Sequence, residues 1–170
     1  GNLNNHLGLP LSILRMEEKH NMAVLEMGTN HFGEIDFLCK IAKPNFGLIT
    51  NIGRGHTEFL KSPAGVAKAK EELFLSIPQE GKIFINAEDR YIPKMNFKAK
   101  DIIRYGFEAP NLNYRGEIIN IDTFGRATIS INNEIEIKVP VPGVYQAFNA
   151  LAAATVGHHF GITYAQIKEA

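Results

Sequence analysis

Two stretches decide the reading: "VLEMGTNHFGEI" (Val24–Ile35) and "LITNIGRGHTEF" (Leu48–Phe59). Each runs from an apolar segment straight into a knot of Asn, Gly, His and Glu. Met22–Met27 ("MAVLEM") is short, apolar and strand-like. From Phe32 to Lys43 the apolar residues Ile35, Leu38, Cys39 and Ala42 form the i, i+3, i+4, i+7 stripe of a helix. Pro44 ends it, and Phe46–Ile52 reads as the next strand. Strand, helix and strand over about 30 residues predict a βαβ unit with parallel strands. Ligands of such sheets sit beyond the carboxyl ends of the strands. Glu26, ending the first strand, and Asn51–His56, following the second, are therefore expected at one edge of the sheet.

Working outward, Ala64–Ile77 reads as a second helix, with strands at Lys82–Ile85 and Asp101–Tyr105. From Tyr114 the pattern changes to alternation: "YRGEIINI", "RATISI" and "EIEIKV", broken by turn residues such as Asn132-Asn133. That predicts an antiparallel meander. Pro140, Pro142 and Gly143 punctuate it before "YQAFNALAAATVGHHF" returns to helix. The expected fold is α/β: a mainly parallel sheet flanked by helices, with a small antiparallel β annex.

The bulk composition excludes several classes. Lys+Arg and Asp+Glu are both 18, so no basic face for nucleic acid or anionic membrane is expected. No apolar run approaches the roughly 20 residues of a membrane span. The single cysteine, Cys39, excludes an internal disulfide and fits a reducing, cytoplasmic setting. The opening "GNLNNHLGLP" reads as a loop and the closing "ITYAQIKEA" as an unfinished helix, so a piece of a larger protein is expected.

Three residues carry the chemistry. Glu26 read singly is equally a capping or surface carboxylate, and His56 singly a hydrogen-bonded loop histidine. Together on one edge they point to a divalent-cation or phosphate site. The third, Lys70, follows from helical geometry: at 100° per residue Val66, Ala69, Leu73, Phe74 and Ile77 share one face, and Lys70 falls within it. Lys68, Glu71 and Glu72 fall opposite, as solvated charges. An ammonium on an apolar stripe must be paired, snorkelled or chemically changed. Two other features are given no chemistry: "NAEDR" (Asn86–Arg90), read as a loop opening a helix, and His158-His159, read as helix capping. No G-x-x-x-x-G-K-[ST] phosphate loop occurs.

These motifs, with "GNLNNHLGLPLSIL", "GVAKAKEELF" and "NALAAA" in order, resemble the central, ATP-binding domain of the Mur ligases, over Gly1–Ala154. The resemblance implies a P-loop-NTPase-like central domain. The UDP-binding N-terminal domain, the phosphate loop and the C-terminal domain would lie outside residues 1–170. It further implies a cytoplasmic ligase of peptidoglycan precursor synthesis that uses ATP and Mg2+ to add D-Ala-D-Ala to UDP-MurNAc-tripeptide through an acyl phosphate. By the same resemblance Glu26 and His56 are magnesium ligands, and Lys70 is a carbamate oriented toward the second metal. Asn149 and Asn51 belong with the nucleotide, and Asn30, His31 and Asn5 with the substrate. Gly143-Val144-Tyr145-Gln146 departs from the family's basic or His-containing "G-R-H-N". The alternatives are another ligase of the family or of the folate-polyglutamate type, and a nucleotide-binding domain without catalysis.

Overall fold

The computed structural model describes residues 2–53 and 57–170. Six strands form a mostly parallel sheet whose spatial order follows the chain, β1 (Phe46–Ile49), β2 (Lys82–Asn86), β3 (Asp101–Gly106), β4 (Tyr114–Ile121), β5 (Ala127–Ile131) and β6 (Ile135–Lys138). The flanking helices are α1 (Gly8–Ile13), α2 (Glu34–Ala42), α3 (Thr57–Leu60), α4 (Pro63–Ser76), α5 (Val144–His159) and α6 (Tyr164–Glu169). The chain divides into two compact units: Gly1–Gly47 with Ile52–Ile83 and Lys94–Asp101, and Leu48–Asn51 with Phe84–Pro93 and Ile102–Ala170.

The first unit is built on α2 and α4, which pack together. In α2 the stripe residues Ile35, Leu38 and Cys39 are buried, as the periodicity requires. The helix stops at Lys43, in the left-handed conformation with φ 47°, whose N–H bonds the Cys39 carbonyl at 2.8 Å. Helix α4 starts at Ser62, whose hydroxyl accepts the Gly65 N–H at 3.1 Å, with Pro63 at the first helical position. Gly65 is required there, because a Cβ would stand 1.9 Å from the Leu60 carbonyl oxygen. Val66, Ala69, Phe74 and Ile77 are buried, Lys68 is exposed and Lys70 is half-buried.

Two expectations need correction. Met22–Met27 is not a strand, and Val24 is 89% exposed. Apolar pattern alone does not make a strand; the backbone needs a ladder partner. Its C-terminal end is tied to Asn4, whose Nδ2 donates to Glu26 Oε1 at 2.9 Å and whose carbonyl accepts the Gly28 N–H at 2.7 Å. Glu71 and Glu72 are not simply solvated either. Glu71 accepts the backbone N–H of Asn96 at 2.6 Å and its side-chain amide at 3.0 Å, and Glu72 reaches α2.

The second unit contains the predicted meander. β4 joins β3 in parallel, Tyr105 opposite Tyr114, and β4, β5 and β6 pair antiparallel. Asn132 and Asn133 both take positive φ, 51° and 59°, the tight-hairpin conformation that Asn tolerates. Helix α5 lays Ala147, Leu151 and Ala154 on Ile129 and Ile131 to close this core. In "NAEDR" the Glu88 carboxylate accepts the backbone N–H groups of Phe107, Glu108 and Ala109. Asp89 Oδ1 caps the short 3-10 turn Ile92–Lys94 by accepting the Tyr91 and Ile92 N–H groups at 2.8 and 3.0 Å. His158 is more than a helix-end charge: its Nδ1 lies 3.0 Å from the Tyr114 hydroxyl, and its ring stacks on Tyr164 at 4.1 Å.

Gly65→Ala tests the α3–α4 turn. It is expected to lower unfolding stability by about 1–3 kcal/mol, the usual cost of overpacking, in a denaturant titration. Gly33→Ala serves as a comparison: Gly33 has φ 87° but open space around it, so its cost is backbone strain alone, about 1 kcal/mol.

Candidate active site in the first unit

The loop Thr29–Gly33 enters α2 through Gly33, which is left-handed at φ 87° and has no side chain to cap the helix. A helix start leaves backbone N–H groups unsatisfied and carries partial positive charge. Glu72 of α4 supplies the missing acceptor. Its Oε1 accepts the Gly33 N–H at 2.7 Å and its Oε2 the Asp36 N–H at 3.1 Å. Glu34, in the first turn of α2, folds the loop back on itself. Its Oε2 accepts the N–H groups of Asn30 at 2.6 Å and His31 at 3.0 Å, with the Thr29 hydroxyl at 3.2 Å. Its Oε1 lies 3.3 Å from His31 Nδ1, and the His31 ring packs on Phe59 at 4.5 Å between centroids. Burial pushes the Glu34 carboxyl up, but the hydrogen bonds from Asn30, His31 and Thr29 outweigh it and hold it below the usual glutamate value.

This loop forms one wall of a cavity of about 870 Å3. Asn5, Glu26, Asn30, Glu34 and Lys70 are among the residues that line it. Asn4 also lines it: its Nδ2 donates to Glu26 Oε1 at 2.9 Å. Asn5 Oδ1 accepts the Leu7 and Gly8 N–H groups at 3.1 and 2.9 Å, starting α1. Glu26 is exposed toward solvent, while Lys70 is half-buried and engaged.

The structure thus brings together four residues singled out in the sequence: Glu26, Lys70, Asn30 and Asn5. His31 stands exposed beside them, fixed by Glu34 and Phe59. His56 lies outside the described residues. Asn51 and Asn149 belong to the second unit. There Asn149 is exposed on α5 and donates through Nδ2 to Gln146 Oε1 at 3.3 Å. Sequence reasoning missed Glu34 and Glu72. The available signal for Glu34 was a carboxylate directly after the glycine of "NHFGE", where helix starts favour acidic residues.

No group of three or more His, Cys, Asp or Glu converges among the described residues. Magnesium does not need one: it keeps several waters and commonly takes one or two protein carboxylates plus substrate phosphates. An exposed Glu26 oxygen pair at a polar cavity fits that demand.

Residues 1–157 match the family described as Mur ligase middle domain. The chain belongs to the Mur ligase family. A relative from Haemophilus influenzae named UDP-N-acetylmuramoyl-tripeptide--D-alanyl-D-alanine ligase is 37% identical over 171 residues, covering 99% of this chain. The chain spans only 37% of that relative's length. A crystal structure of MurF from Acinetobacter baumannii superposes with a TM-score of 0.84 at 28% identity, covering 99% of this chain and 38% of that one. MurF ligase from Thermotoga maritima in complex with ADP shares the fold, with a TM-score of 0.78 at 23% identity over 100% of this chain and 40% of that one. The six-stranded sheet with its antiparallel annex is thus a Mur ligase middle domain.

The Glu34 geometry fixes a pH dependence. Its carboxyl is depressed in the folded state, so its contribution is present above the ordinary glutamate range and is lost as pH falls through the lowered value. Hydrogen-exchange protection of the Asn30 and His31 amides is expected to hold from neutral pH down to the ordinary glutamate range and to decline below it. In Glu34→Gln that acid-side decline should disappear.

Proposed function

We propose that this chain is the ATP-binding middle domain of a cytoplasmic ligase that adds D-Ala-D-Ala to UDP-MurNAc-tripeptide in peptidoglycan precursor synthesis. One observation carries the reading: Glu26 and Lys70, from segments 44 residues apart, line one polar cavity with Asn5 and Asn30. The names of the Haemophilus influenzae and Acinetobacter baumannii proteins support the choice of substrates, and the ADP of the Thermotoga maritima complex supports the nucleotide. No helix among the described residues is long and apolar enough to cross a membrane.

In this reading the tripeptide's terminal carboxylate oxygen attacks the γ-phosphorus of ATP, and the bond to ADP breaks. The amine of D-Ala-D-Ala then attacks the acyl carbon, phosphate leaves and the amine loses its proton. Magnesium supplies charge neutralisation for the phosphoryl transfer. The chain's own residues hold and orient. Glu26 offers its carboxylate to the metal, with Asn4 fixing one oxygen, and His56 is the family's second ligand position. Asn149 and Asn51 take the nucleotide, and Asn5, Asn30 and His31 take the muramoyl peptide. Lys70, as a neutral amine, adds CO2 and loses a proton to become a carbamate. That step would replace a half-buried cation by an anion, which attracts a bound metal cation where the ammonium would repel it. Domains that grip UDP and deliver D-Ala-D-Ala would complete the enzyme, and residues 1–170 alone are expected to release no ADP.

The test uses the full-length enzyme. D-Ala-D-Ala-dependent ADP release with UDP-MurNAc-tripeptide is the expected activity, and its absence would overturn the reading. Lys70→Ala should cut the rate roughly 100-fold, as loss of a transition-state electrostatic group does, and added bicarbonate should not rescue it. Lys68→Ala, at an exposed position, should change stability by no more than about 0.5 kcal/mol and leave the rate intact.

A further inference from the structure

Nothing in the family resemblance assigns a role to Glu34, yet its carboxylate holds several groups of the cavity loop at once. It takes two loop N–H groups, a hydroxyl and an imidazole nitrogen. We propose that Glu34 is a positioning residue for the muramoyl-peptide substrate: it holds the loop so that Asn30 and His31 present their side chains to that ligand. The proposal rests on the ligase reading above.

The donor inventory makes the case. A loop of successive backbone N–H groups is ordinarily an anion-binding nest in its own right. Here the Asn30 and His31 N–H groups are spent on Glu34, and those of Gly33 and Asp36 on Glu72. The loop backbone is therefore closed to a substrate anion, and recognition passes to the exposed side chains of Asn30 and His31. Those side chains belong to the five residues between Gly28 and Glu34, and the left-handed Gly33 adds freedom rather than stiffness. Glu34, together with the Thr29 hydroxyl that donates to the His31 carbonyl at 2.8 Å, holds this polar loop as a wall. Glu72 anchors the other end from α4, two residues beyond Lys70, so the loop is referenced to the helix that carries the cavity lysine. Removing Glu34 leaves α2 and α4 in contact but frees the loop's donors, so the Asn30 side chain at the cavity loses its fixed orientation.

The consequence is selective. A loop that contacts only the muramoyl peptide should affect that substrate's KM and leave ATP unaffected. In the full-length enzyme, Glu34→Ala is expected to raise KM for UDP-MurNAc-tripeptide about tenfold, the scale of a lost charge-assisted hydrogen bond, with KM for ATP and kcat within about twofold. Glu34→Gln keeps one acceptor oxygen for the Asn30 and His31 N–H groups and should recover most of the loss. Asn30→Ala should show the same split, and the Glu34→Ala, Asn30→Ala double variant should be no worse than either alone, since both remove one contact. If Glu34→Ala does not fold, Glu34→Asp, which withdraws the carboxylate by one methylene from the Asn30 and His31 N–H groups, carries the test by the same KM split. An unchanged tripeptide KM, or parallel rises in both KM values with a lowered melting temperature, would overturn the positioning role. A wild-type enzyme without D-Ala-D-Ala-dependent ADP release would instead overturn the ligase reading, and this proposal with it.

Discussion

The carboxylate of Glu72 on the first N–H groups of α2 is the interaction on which the site depends. A helix that begins at a left-handed glycine has no side-chain cap of its own, and its first donors need an acceptor from elsewhere. Glu72 provides both oxygens from the neighbouring helix, at 2.7 and 3.1 Å. An acceptor at a helix start is also favoured by the helix dipole. The bond fixes the point at which the chain leaves the Glu26 segment and enters α2. The loop carrying Asn30 and His31 hangs between that point and Thr29.

Helix α4 is accordingly the organising element of the first unit. One face carries Val66, Ala69, Phe74 and Ile77 into the core. Within that face the half-buried Lys70 lines the cavity, and from the outer side Glu72 caps α2 while Glu71 takes the Asn96 amide groups. Burial of the four apolar side chains, at about 1.5–3 kcal/mol for the large ones, holds the helix in place. The polar contacts then contribute register rather than bulk stability. A site assembled this way has a rigid floor and a wall set by hydrogen bonds, an arrangement suited to orienting a peptide carboxylate for phosphoryl transfer.

Much of this was legible in the sequence, for identifiable reasons. The stripe at Ile35, Leu38 and Cys39 and the one on α4 have the helical period, and both faces are buried. The Asn132-Asn133 turn and the alternation around it encoded the meander in local chemistry. Met22–Met27 failed because apolar pattern cannot report whether a ladder partner exists. Lys70 was legible because a charge on an apolar stripe is anomalous within one helix. Glu34 offered only its place after the helix-start glycine and Glu72 offered nothing, since each bonds backbone N–H groups, and backbone donors have no letter in a sequence. The Glu72 partners lie 36 and 39 residues away, beyond any local pattern.

The central claim is that the cavity lined by Glu26 and Lys70 holds the catalytic metal beside the muramoyl peptide. Met27 lines that cavity and Met95 is a buried methionine that does not, so methyl-labelled methionine offers two probes in one sample. The direct measurement is the line width of both methyl resonances in the full-length enzyme, titrated with ATP and manganese in place of magnesium. The account predicts strong paramagnetic broadening of Met27, with Met95 affected far less. Saturation with manganese and ATP that leaves Met27 as sharp as Met95 would contradict it.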